Sequence, residues 1–200
     1  MGKIVVSEFL TLDGVMEGPG NEEHFQRNKW SFQFPSKEGM KFAFDQLMAS
    51  DALLLGRVTY EGFASAWPSI KDEWGFADKM NSMPKFVVST TLKQAEWNNS
   101  RVIRENVAEE VAALKQQTER DILIYGSADL VHSLMRYDLI DEYRLMVFPI
   151  VLGIGKHLFR DGSDATVLKL IEAETFSSGV VLLTYQPARK EGSVPVSGDS

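Results

Sequence analysis

The segment from Asp121 to Met135 constrains the fold more than any other stretch, because it passes from a strand pattern to a helix pattern across one tight turn. Ile122 to Tyr125 are apolar or aromatic residues, too few for a helix and rich in strand formers, so they predict a buried strand with both faces covered. Apolar residues then recur at helical spacing, at Leu130, Val131, Leu134 and Met135. The segment therefore predicts a strand, a turn and a helix.

The turn inside this segment is built from small residues, Gly126 and Ser127, which leave its backbone approachable. The first N–H groups of the following helix and the positive end of its dipole point above the strand, a setting suited to phosphate. Every α/β protein contains several such turns, so a purely structural turn is the competing interpretation.

Two more strands run directly into small or hydroxylated residues. Ala52 to Leu55 leads into the block Gly56-Arg57-Val58-Thr59 and a predicted helix from Thr59 to Ala66, and the strand from Lys85 to Thr90 ends in two hydroxyls. Because the carboxyl ends of parallel strands meet at one edge of a sheet, the three turns are predicted to converge. A guanidinium, hydroxyls and two helix N-termini would suit a dinucleotide with an extra ribose phosphate. Taken alone, Arg57 would be a surface arginine covering apolar area with its stem.

The remaining pattern predicts an α/β fold with a central, mixed but mostly parallel sheet, helices on both faces and a C-terminal antiparallel hairpin. Further strands are expected at Lys3–Leu12, Val102–Ile103 and Asp141–Pro149, further helices at Met40–Met48, Phe76–Ser82 and Val107–Thr118, and the hairpin within Val167–Tyr185. We expect one domain over residues 1–186 and a disordered tail over residues 187–200, which lack any apolar period.

A polar segment with many aromatic residues, from Val15 to Pro35, shows no clear period. Loops of this length inside a compact domain are usually functional or wrongly assigned. The aromatic rings could form a lid over a flat ligand, or they could plug the edge of the core. The sequence leaves both interpretations open.

Composition excludes several classes of function. The chain of 200 residues has 21 Lys and Arg against 28 Asp and Glu, and its net charge of −7 argues against a nucleic-acid surface. It has no cysteine, which excludes disulfides and thiolate metal sites, and no metal-ligand spacing occurs elsewhere. No apolar run approaches the roughly 20 residues of a membrane span, and the first residues lack a signal-peptide pattern. We therefore expect no membrane partner and a cytoplasmic protein.

Five motifs in a fixed order resemble the dihydrofolate reductase-like superfamily, in the branch similar to the C-terminal reductase domain of the bacterial bifunctional riboflavin biosynthesis protein. They are Thr11-Leu12-Asp13-Gly14, Gly56-Arg57-Val58-Thr59-Tyr60, Val88-Ser89-Thr90, Ile124-Tyr125-Gly126-Ser127 and the run from Asp141 to Lys156. The resemblance spans about residues 3–186. It implies a three-layer reductase fold, NADPH as the cofactor, a small planar substrate of the pteridine or pyrimidine kind, and a homodimer.

The resemblance also implies roles for individual residues. Arg57, Ser89 and Thr90 would hold the 2′-phosphate, Thr59 and the N–H groups from Gly126 to Leu130 would hold the pyrophosphate, and Tyr125 would lie near the nicotinamide. The complete implied cofactor set is Gly56, Arg57, Thr59, Ser89, Thr90, Tyr125, Gly126, Ser127, Ala128, Asp129 and Leu130.

The sequence departs from the family pattern at two places. Dihydrofolate reductases carry a carboxylate on the first helix to hold the pterin, whereas this chain has Met40 there, with Phe44 one turn later as the implied substrate contact. The missing acid argues against folate and keeps open an alternative function, a nucleotide- or flavin-binding protein without turnover. The second departure is Ser127, where many members have a second glycine.

A reductase also needs a proton source, and Asp13 is the acid best positioned in the sequence. At the end of the first strand, a partly desolvated carboxyl group could have its pKa raised toward neutrality. The alternatives are an Asp that shapes its own turn, the commoner use of an Asp-Gly pair, and a proton from water.

Overall fold

The computed structural model describes residues 1–20, 24–161 and 165–188, which form one eight-stranded sheet with five α-helices around it. The strands are β1 (Ile4–Thr11), β2 (Ser50–Gly56), β3 (Lys85–Val88), β4 (Ser100–Ile103), β5 (Asp121–Ile124), β6 (Glu142–Phe148), β7 (Leu168–Thr175) and β8 (Val181–Pro187). The helices are α1 (Lys37–Met48), α2 (Arg57–Ala66), α3 (Phe76–Ser82), α4 (Val107–Gln117) and α5 (Ala128–Arg136).

The sheet has the order β4-β3-β2-β5-β1-β6-β8-β7. The six strands from β4 to β6 are mutually parallel, and β8 and β7 complete the sheet in antiparallel fashion. Parallel neighbours need long crossover connections, which the helices supply. The predicted α/β class, the mostly parallel sheet and the C-terminal hairpin are confirmed.

Helices cover both faces of the sheet and produce its three layers. On β1, Ile4 and Val6 pack in the same apolar cluster as residues of α4 and α5, whereas Val5 packs in a cluster with residues of α1, α2 and α3. Successive side chains of a strand point to opposite faces, so a strand covered on both faces must be apolar almost throughout. This requirement explains the run of apolar residues in β1, β2 and β5.

The central strands end at different levels. β1 pairs with β5 only from Ile4 to Val6, because β5 ends at Ile124, but its pairing with β6 continues from Val5 to Thr11. Among the described strands, β1 therefore has no partner on its β5 side beyond Val6. This unpaired stretch lies at the carboxyl edge of the sheet, the edge at which ligands bind in open α/β folds.

The aromatic segment plugs the core and does not form a free lid. Trp30 is buried, and its indole N–H donates to the carbonyl oxygen of Glu17 at 2.8 Å. The rings of Phe9, Trp30 and Phe34 surround Phe148 at centroid distances of 5.1, 5.2 and 6.0 Å. These edge and tilted contacts are the geometry that aromatic side chains favour in a core. Of the two open interpretations, the plug is correct for the described part of the segment.

Several boundaries differ from the predicted ones. α2 begins at Arg57 and not at Thr59, because extended Gly56 serves as its N-cap. β3 ends at Val88, so Ser89 and Thr90 follow the strand. β8 reaches Pro187, one residue past the predicted domain end, and the rest of the predicted tail, residues 189–200, lies outside the described residues. No helix in the described ranges combines the length and apolar character needed to cross a membrane.

Candidate functional site

The turns that follow β2 and β5 are joined by direct hydrogen bonds. The backbone N–H of Gly56 donates to the hydroxyl oxygen of Ser127 at 2.9 Å, and the N–H of Ser127 donates to Thr59 Oγ1 at 3.0 Å. β2 lies between β3 and β5, so the turns from all three strands leave the same edge of the sheet. The predicted convergence of these turns is confirmed.

The backbone at Gly126 approaches α2 too closely for a side chain. Its φ is +56°, and a Cβ atom built there would lie 2.7 Å from Thr59 Oγ1. Both the left-handed conformation and the close approach require glycine. The turn at Gly126 therefore presents backbone atoms at its surface, and we call it the cradle.

Ser127 also adopts a left-handed conformation, with φ of +62°. This conformation costs a non-glycine residue free energy unless the surroundings stabilise it. Here the Ser127 hydroxyl accepts the Gly56 N–H and donates to the carbonyl oxygen of Tyr125 at 3.0 Å. These two bonds explain how serine replaces a second glycine without losing the turn.

Helix α5 begins directly after this turn. The first N–H groups of an α-helix have no partner inside the helix, so those of Ala128, Asp129 and Leu130 are oriented toward the carboxyl edge of the sheet. The exposed Asp129 carboxylate forms an ion pair with Arg160, and that hydrogen bond lowers the pKa of Asp129. A groove of about 500 Å³ lies beside this helix end, lined by Asp129, Lys156, His157, Phe159, Arg160 and Asp161. Asp129 is the one acid in the first turn of α5, and its ion pair with Arg160 offsets a negative charge that would repel an anion there.

The third turn places hydroxyls beside a guanidinium. Gly56 pairs with Val88 in the sheet, so Arg57 and Ser89 leave adjacent strand ends. Ser89 Oγ accepts backbone N–H groups of Thr91 and Leu92 at 3.2 and 2.9 Å and lies 3.4 Å from the Thr91 hydroxyl, and Thr90 is exposed. Arg57 pairs with Glu61 at 2.8 Å, but both side chains are more than 40% exposed. Exposed pairs are weak, so a bound anion could displace Glu61.

Tyr125 ends β5 on the α2 side of the sheet. Its ring packs against Phe63 with centroids 6.5 Å apart, and its buried hydroxyl has no hydrogen-bond partner among the described residues. Burial raises the pKa of this phenol above its ordinary value, so the hydroxyl keeps its proton at neutral pH. Tyr125 therefore brings an available O–H group to the site.

The predicted substrate residues lie one turn apart on α1. Met40 is 60% exposed and Phe44 is half-buried, and both lie outside the three apolar clusters of the core. The predicted apolar face of this helix is therefore wrong at Met40. Gln46 faces the sheet instead, where its amide donates to Ser7 Oγ at 2.9 Å.

The expectation of a raised pKa at Asp13 is wrong. Desolvation raises the pKa of this carboxyl group, but hydrogen bonds from the Thr11 hydroxyl and from the N–H groups of Leu152 and Gly153 outweigh it and lower the pKa to about 2. Asp13 is ionised at neutral pH and ties its own turn to the loop after β6. This geometry supports the alternative interpretation, an Asp that shapes a turn, over a proton donor.

Sequence reasoning missed one unusual residue beside this turn, Glu8 on β1. It is only 5% exposed, and its Oε1 atom has no hydrogen-bond partner among the described residues. Burial raises the pKa of this carboxyl group well above its ordinary value, and a backbone hydrogen bond from Gly126 opposes that shift in part. A signal was present in the sequence, because an acid inside a strand covered on both faces has to be buried.

The donor set of the carboxyl edge contains one guanidinium, several hydroxyls and backbone N–H groups. No three His, Asp or Glu side chains of the described chain lie close enough together to hold a metal ion. Such a set can bind phosphate groups in two ways, through paired hydrogen bonds from a guanidinium and through N–H groups at a helix N-terminus.

Comparison with known proteins agrees with this geometry. The family model of the RibD C-terminal domain matches residues 2–182. The uncharacterized protein YyaP of Bacillus subtilis (strain 168) is 34% identical over 186 residues, which cover 92% of this chain and 94% of that protein.

Two solved structures have a similar fold. A Shewanella sp. PV-4 protein named for riboflavin biosynthesis superposes with a TM-score of 0.73 at 21% identity, over 94% of this chain and 99% of its own. The dihydrofolate reductase of Enterococcus faecalis, solved in complex with NADP(H), has a TM-score of 0.56 at 18% identity, over 92% of this chain and 96% of its own. At these identities the likeness establishes a reductase-type fold.

Proposed function

Because the chain belongs to the RibD C-terminal domain family, we propose that it is an NADPH-dependent oxidoreductase that reduces a small planar substrate by hydride transfer. The observation that carries the proposal is the hydrogen-bonded junction of Gly56, Thr59 and Ser127, with Arg57 directly beside it. This junction combines a bare backbone cradle with a cation, the two features that a phosphorylated dinucleotide needs.

The residues present fit such a cofactor. At Gly126 a Cβ atom would fill the cradle, since it would lie 2.7 Å from Thr59 Oγ1. Glycine is required where a backbone must approach a ligand closely. The first turn of α5 adds N–H donors and the positive end of the helix dipole. These features support a pyrophosphate held by Thr59 and the N–H groups of Ala128, Asp129 and Leu130, because the N–H groups of Gly126 and Ser127 already donate to Glu8 and Thr59.

The adenosine end belongs at the ends of β2 and β3. Arg57 can form two parallel hydrogen bonds to a phosphate dianion, and Ser89 and Thr90 add hydroxyl donors on the neighbouring strand. NADH is the same dinucleotide without the 2′-phosphate. Arg57 is therefore proposed as the residue that selects NADPH.

When bound, the nicotinamide ring supplies the hydride, and the protein supplies position and electrostatics. Tyr125, directly after β5, keeps a protonated hydroxyl without a partner among the described residues, and this hydroxyl can bond a polar group where β5 ends beside β1. Met40 and Phe44 offer an apolar and an aromatic surface for a flat ring of the pteridine or pyrimidine kind. Asp13 has no acid role in this proposal, because its carboxylate is ionised and bonded to backbone.

The proposal includes a cytoplasmic homodimer. Along the edge strand β7, the apolar residues Leu170 and Ile171 are exposed. An exposed strand edge readily pairs with another chain, so a second copy could pair along β7, with Leu170 and Ile171 adding apolar side chains beside the contact. Light scattering should give the mass of two chains of 22.5 kDa each, whereas the mass of one chain would contradict this part of the proposal.

The proposed function is tested by titrating NADPH and NADH into the wild type and Arg57→Ala. A charge-assisted hydrogen bond contributes about 1.5 to 3 kcal/mol, so the wild type should prefer NADPH by tenfold or more and Arg57→Ala should lose that preference. Arg101→Ala is the matched control, because Arg101 also forms an exposed pair at 2.8 Å, with Glu110 on α4.

The outcomes separate the candidate functions. NADPH preference that depends on Arg57, together with NADPH oxidation in the presence of an acceptor, supports the reductase. Tight binding without oxidation by any acceptor supports the alternative, a nucleotide- or flavin-binding protein without turnover. If neither dinucleotide binds, the convergence of the three turns is structural and the proposal is wrong.

A further inference from the structure

Glu8 occupies an unusual position for a carboxyl group. It lies in β1 two residues past Val6, the last residue that pairs with β5, and so beyond the point where β5 ends beside β1. Ser7 points toward α1, where it accepts a hydrogen bond from Gln46, so Glu8 points to the opposite face, beneath the turn that leads into α5. The backbone hydrogen bond from Gly126 agrees with this placement.

The Glu8 side chain is buried without a full set of partners. Its exposure is 5%, and Oε1 accepts no hydrogen bond from any described residue. Buried polar atoms are nearly always paired, because an unpaired one keeps the full cost of losing water. The adjacent strand residues Phe9 and Leu10 are apolar and supply no donor side chain. A donor from outside the chain would satisfy this oxygen.

The order of the strands indicates which part of the cofactor lies nearest Glu8. The proposed 2′-phosphate contacts follow β3 and β2, and the proposed pyrophosphate contacts follow β2 and β5. Neighbouring strands are about 4.8 Å apart, so the extended dinucleotide advances along the edge from one strand end to the next. The next strand after β5 is β1. The nicotinamide riboside half would therefore reach the part of β1 beyond the end of β5, where Glu8 lies.

We propose that Glu8 is a ligand of the nicotinamide riboside half of NADPH, and that its free Oε1 accepts a hydrogen bond from a hydroxyl or amide donor of that half. The inference rests on the proposed function and adds a residue to it. The ribose hydroxyls and the carboxamide N–H₂ are the donors that this half of the cofactor offers to an acceptor.

The protonation state of Glu8 is compatible with nearby phosphate. Burial raises the pKa of its carboxyl group well above the ordinary value, which favours the neutral form, and the neutral form does not repel an anion bound at the N-terminus of α5. A neutral carboxyl group accepts through one oxygen and donates through the other, so it can bond a ligand and the protein together. Tyr125 and Arg144 are ionisable groups near Glu8, because, in addition to burial, Arg144 lowers the pKa of Tyr125 and Glu8 raises it.

The test compares three ligands on four proteins. NADPH carries the complete nicotinamide riboside half. 2′-Phospho-ADP-ribose retains only the ribose of that half, and 2′,5′-ADP retains no part of it. Glu8→Leu should weaken NADPH binding about tenfold and leave 2′,5′-ADP binding unchanged, whereas Glu8→Gln, which retains an acceptor, should stay close to wild type. Glu172→Leu, on the exposed strand β7, is the control for loss of a glutamate elsewhere in the sheet.

The ligand series also identifies the donor, in two ways that both support the proposal. If Glu8→Leu weakens 2′-phospho-ADP-ribose as well, the donor is a ribose hydroxyl. If it weakens NADPH alone, the donor is the carboxamide. Equal weakening of all three ligands, or no weakening of any, would overturn the assignment.

A measurement on the wild type covers the case in which Glu8→Leu does not fold. Infrared difference spectroscopy should show a carboxyl or carboxylate band shifting when NADPH is added and staying in place when 2′,5′-ADP is added. The shift should be absent in Glu8→Gln. A wild type that binds NADPH with no such shift overturns the role of Glu8 and leaves the proposed function standing, whereas a wild type that binds no dinucleotide overturns both.

Discussion

Two buried ionisable side chains in the same sheet have opposite surroundings. Lys85 begins β3, and its Nζ donates to the carbonyl oxygens of Asn81, Met83 and Asn98 at 2.9, 2.8 and 2.9 Å, with the ring centroid of Trp97 at 4.2 Å. Glu8 lies toward the carboxyl end of β1, and one of its oxygens has no partner among the described residues. The cation is fully paired within the chain, and the acid is not.

The difference separates structural groups from binding groups. A buried cation held by three carbonyls contributes to stability, because each of those carbonyls would otherwise be left unpaired. A buried acid with an unpaired oxygen lowers the stability of the fold. Such a cost is expected at a binding site, where a ligand supplies the missing hydrogen bond. Variants at the two positions should therefore affect different properties, stability at Lys85 and ligand binding at Glu8.

The largest expected effect is the loss of stability in Lys85→Met. The variant keeps most of the side-chain volume but leaves three carbonyl oxygens without their donor, which should lower the free energy of unfolding by on the order of 3 kcal/mol. Urea unfolding monitored by circular dichroism measures this change. Lys93→Met, at an exposed position, is the control and should change stability by less than about 0.5 kcal/mol. Equal stabilities for the two variants would show that the carbonyl cage contributes nothing.

An intermediate effect is expected at the turn above Glu8. Gly126→Ala forces a side chain into the left-handed region and against Thr59, which should cost about 2 kcal/mol of stability and also weaken NADPH binding. Gly62→Ala is the matched control, because a Cβ atom there meets nothing within 4 Å and alanine favours the helix by about 1 kcal/mol. Thermal unfolding and NADPH titration measure both quantities. If Gly126→Ala binds NADPH as tightly as the wild type does, the turn at Gly126 is not part of the NADPH site.

The smallest expected effect is the pH dependence of stability in Glu8→Gln. Burial raises the folded-state pKa of Glu8, so the stability associated with the neutral group is present below the unfolded-state pKa and is lost as pH rises through the folded-state pKa. Glutamine cannot ionise and removes this loss. The melting temperature of Glu8→Gln relative to wild type should therefore be higher at pH 8 than at pH 4. A constant difference across this range would mean that Glu8 has an ordinary pKa.

The sequence predicted most of what local patterns can encode. The strand, turn and helix around Gly126 were identifiable because apolar spacing changes there from strand to helix, and the turns at Gly56 and Ser89 converge because parallel strands share an edge. The bonding of Asp13 was not predictable, because its donors Leu152 and Gly153 come from a loop that approaches it only in the folded chain. Glu8 was missed because one acid within an apolar strand shows neither which face it occupies nor which strand lies beside it.

The role of the carboxyl edge as the NADPH site is tested most directly by the amide signals of ¹⁵N-labelled protein during an NADPH titration. The largest shifts should occur at Gly56 to Tyr60, Ser89 and Thr90, and Tyr125 to Leu130, whereas signals around Lys85, at the amino end of β3, should stay in place. Shifts confined to other parts of the chain, or no shifts at saturating NADPH, would contradict the account.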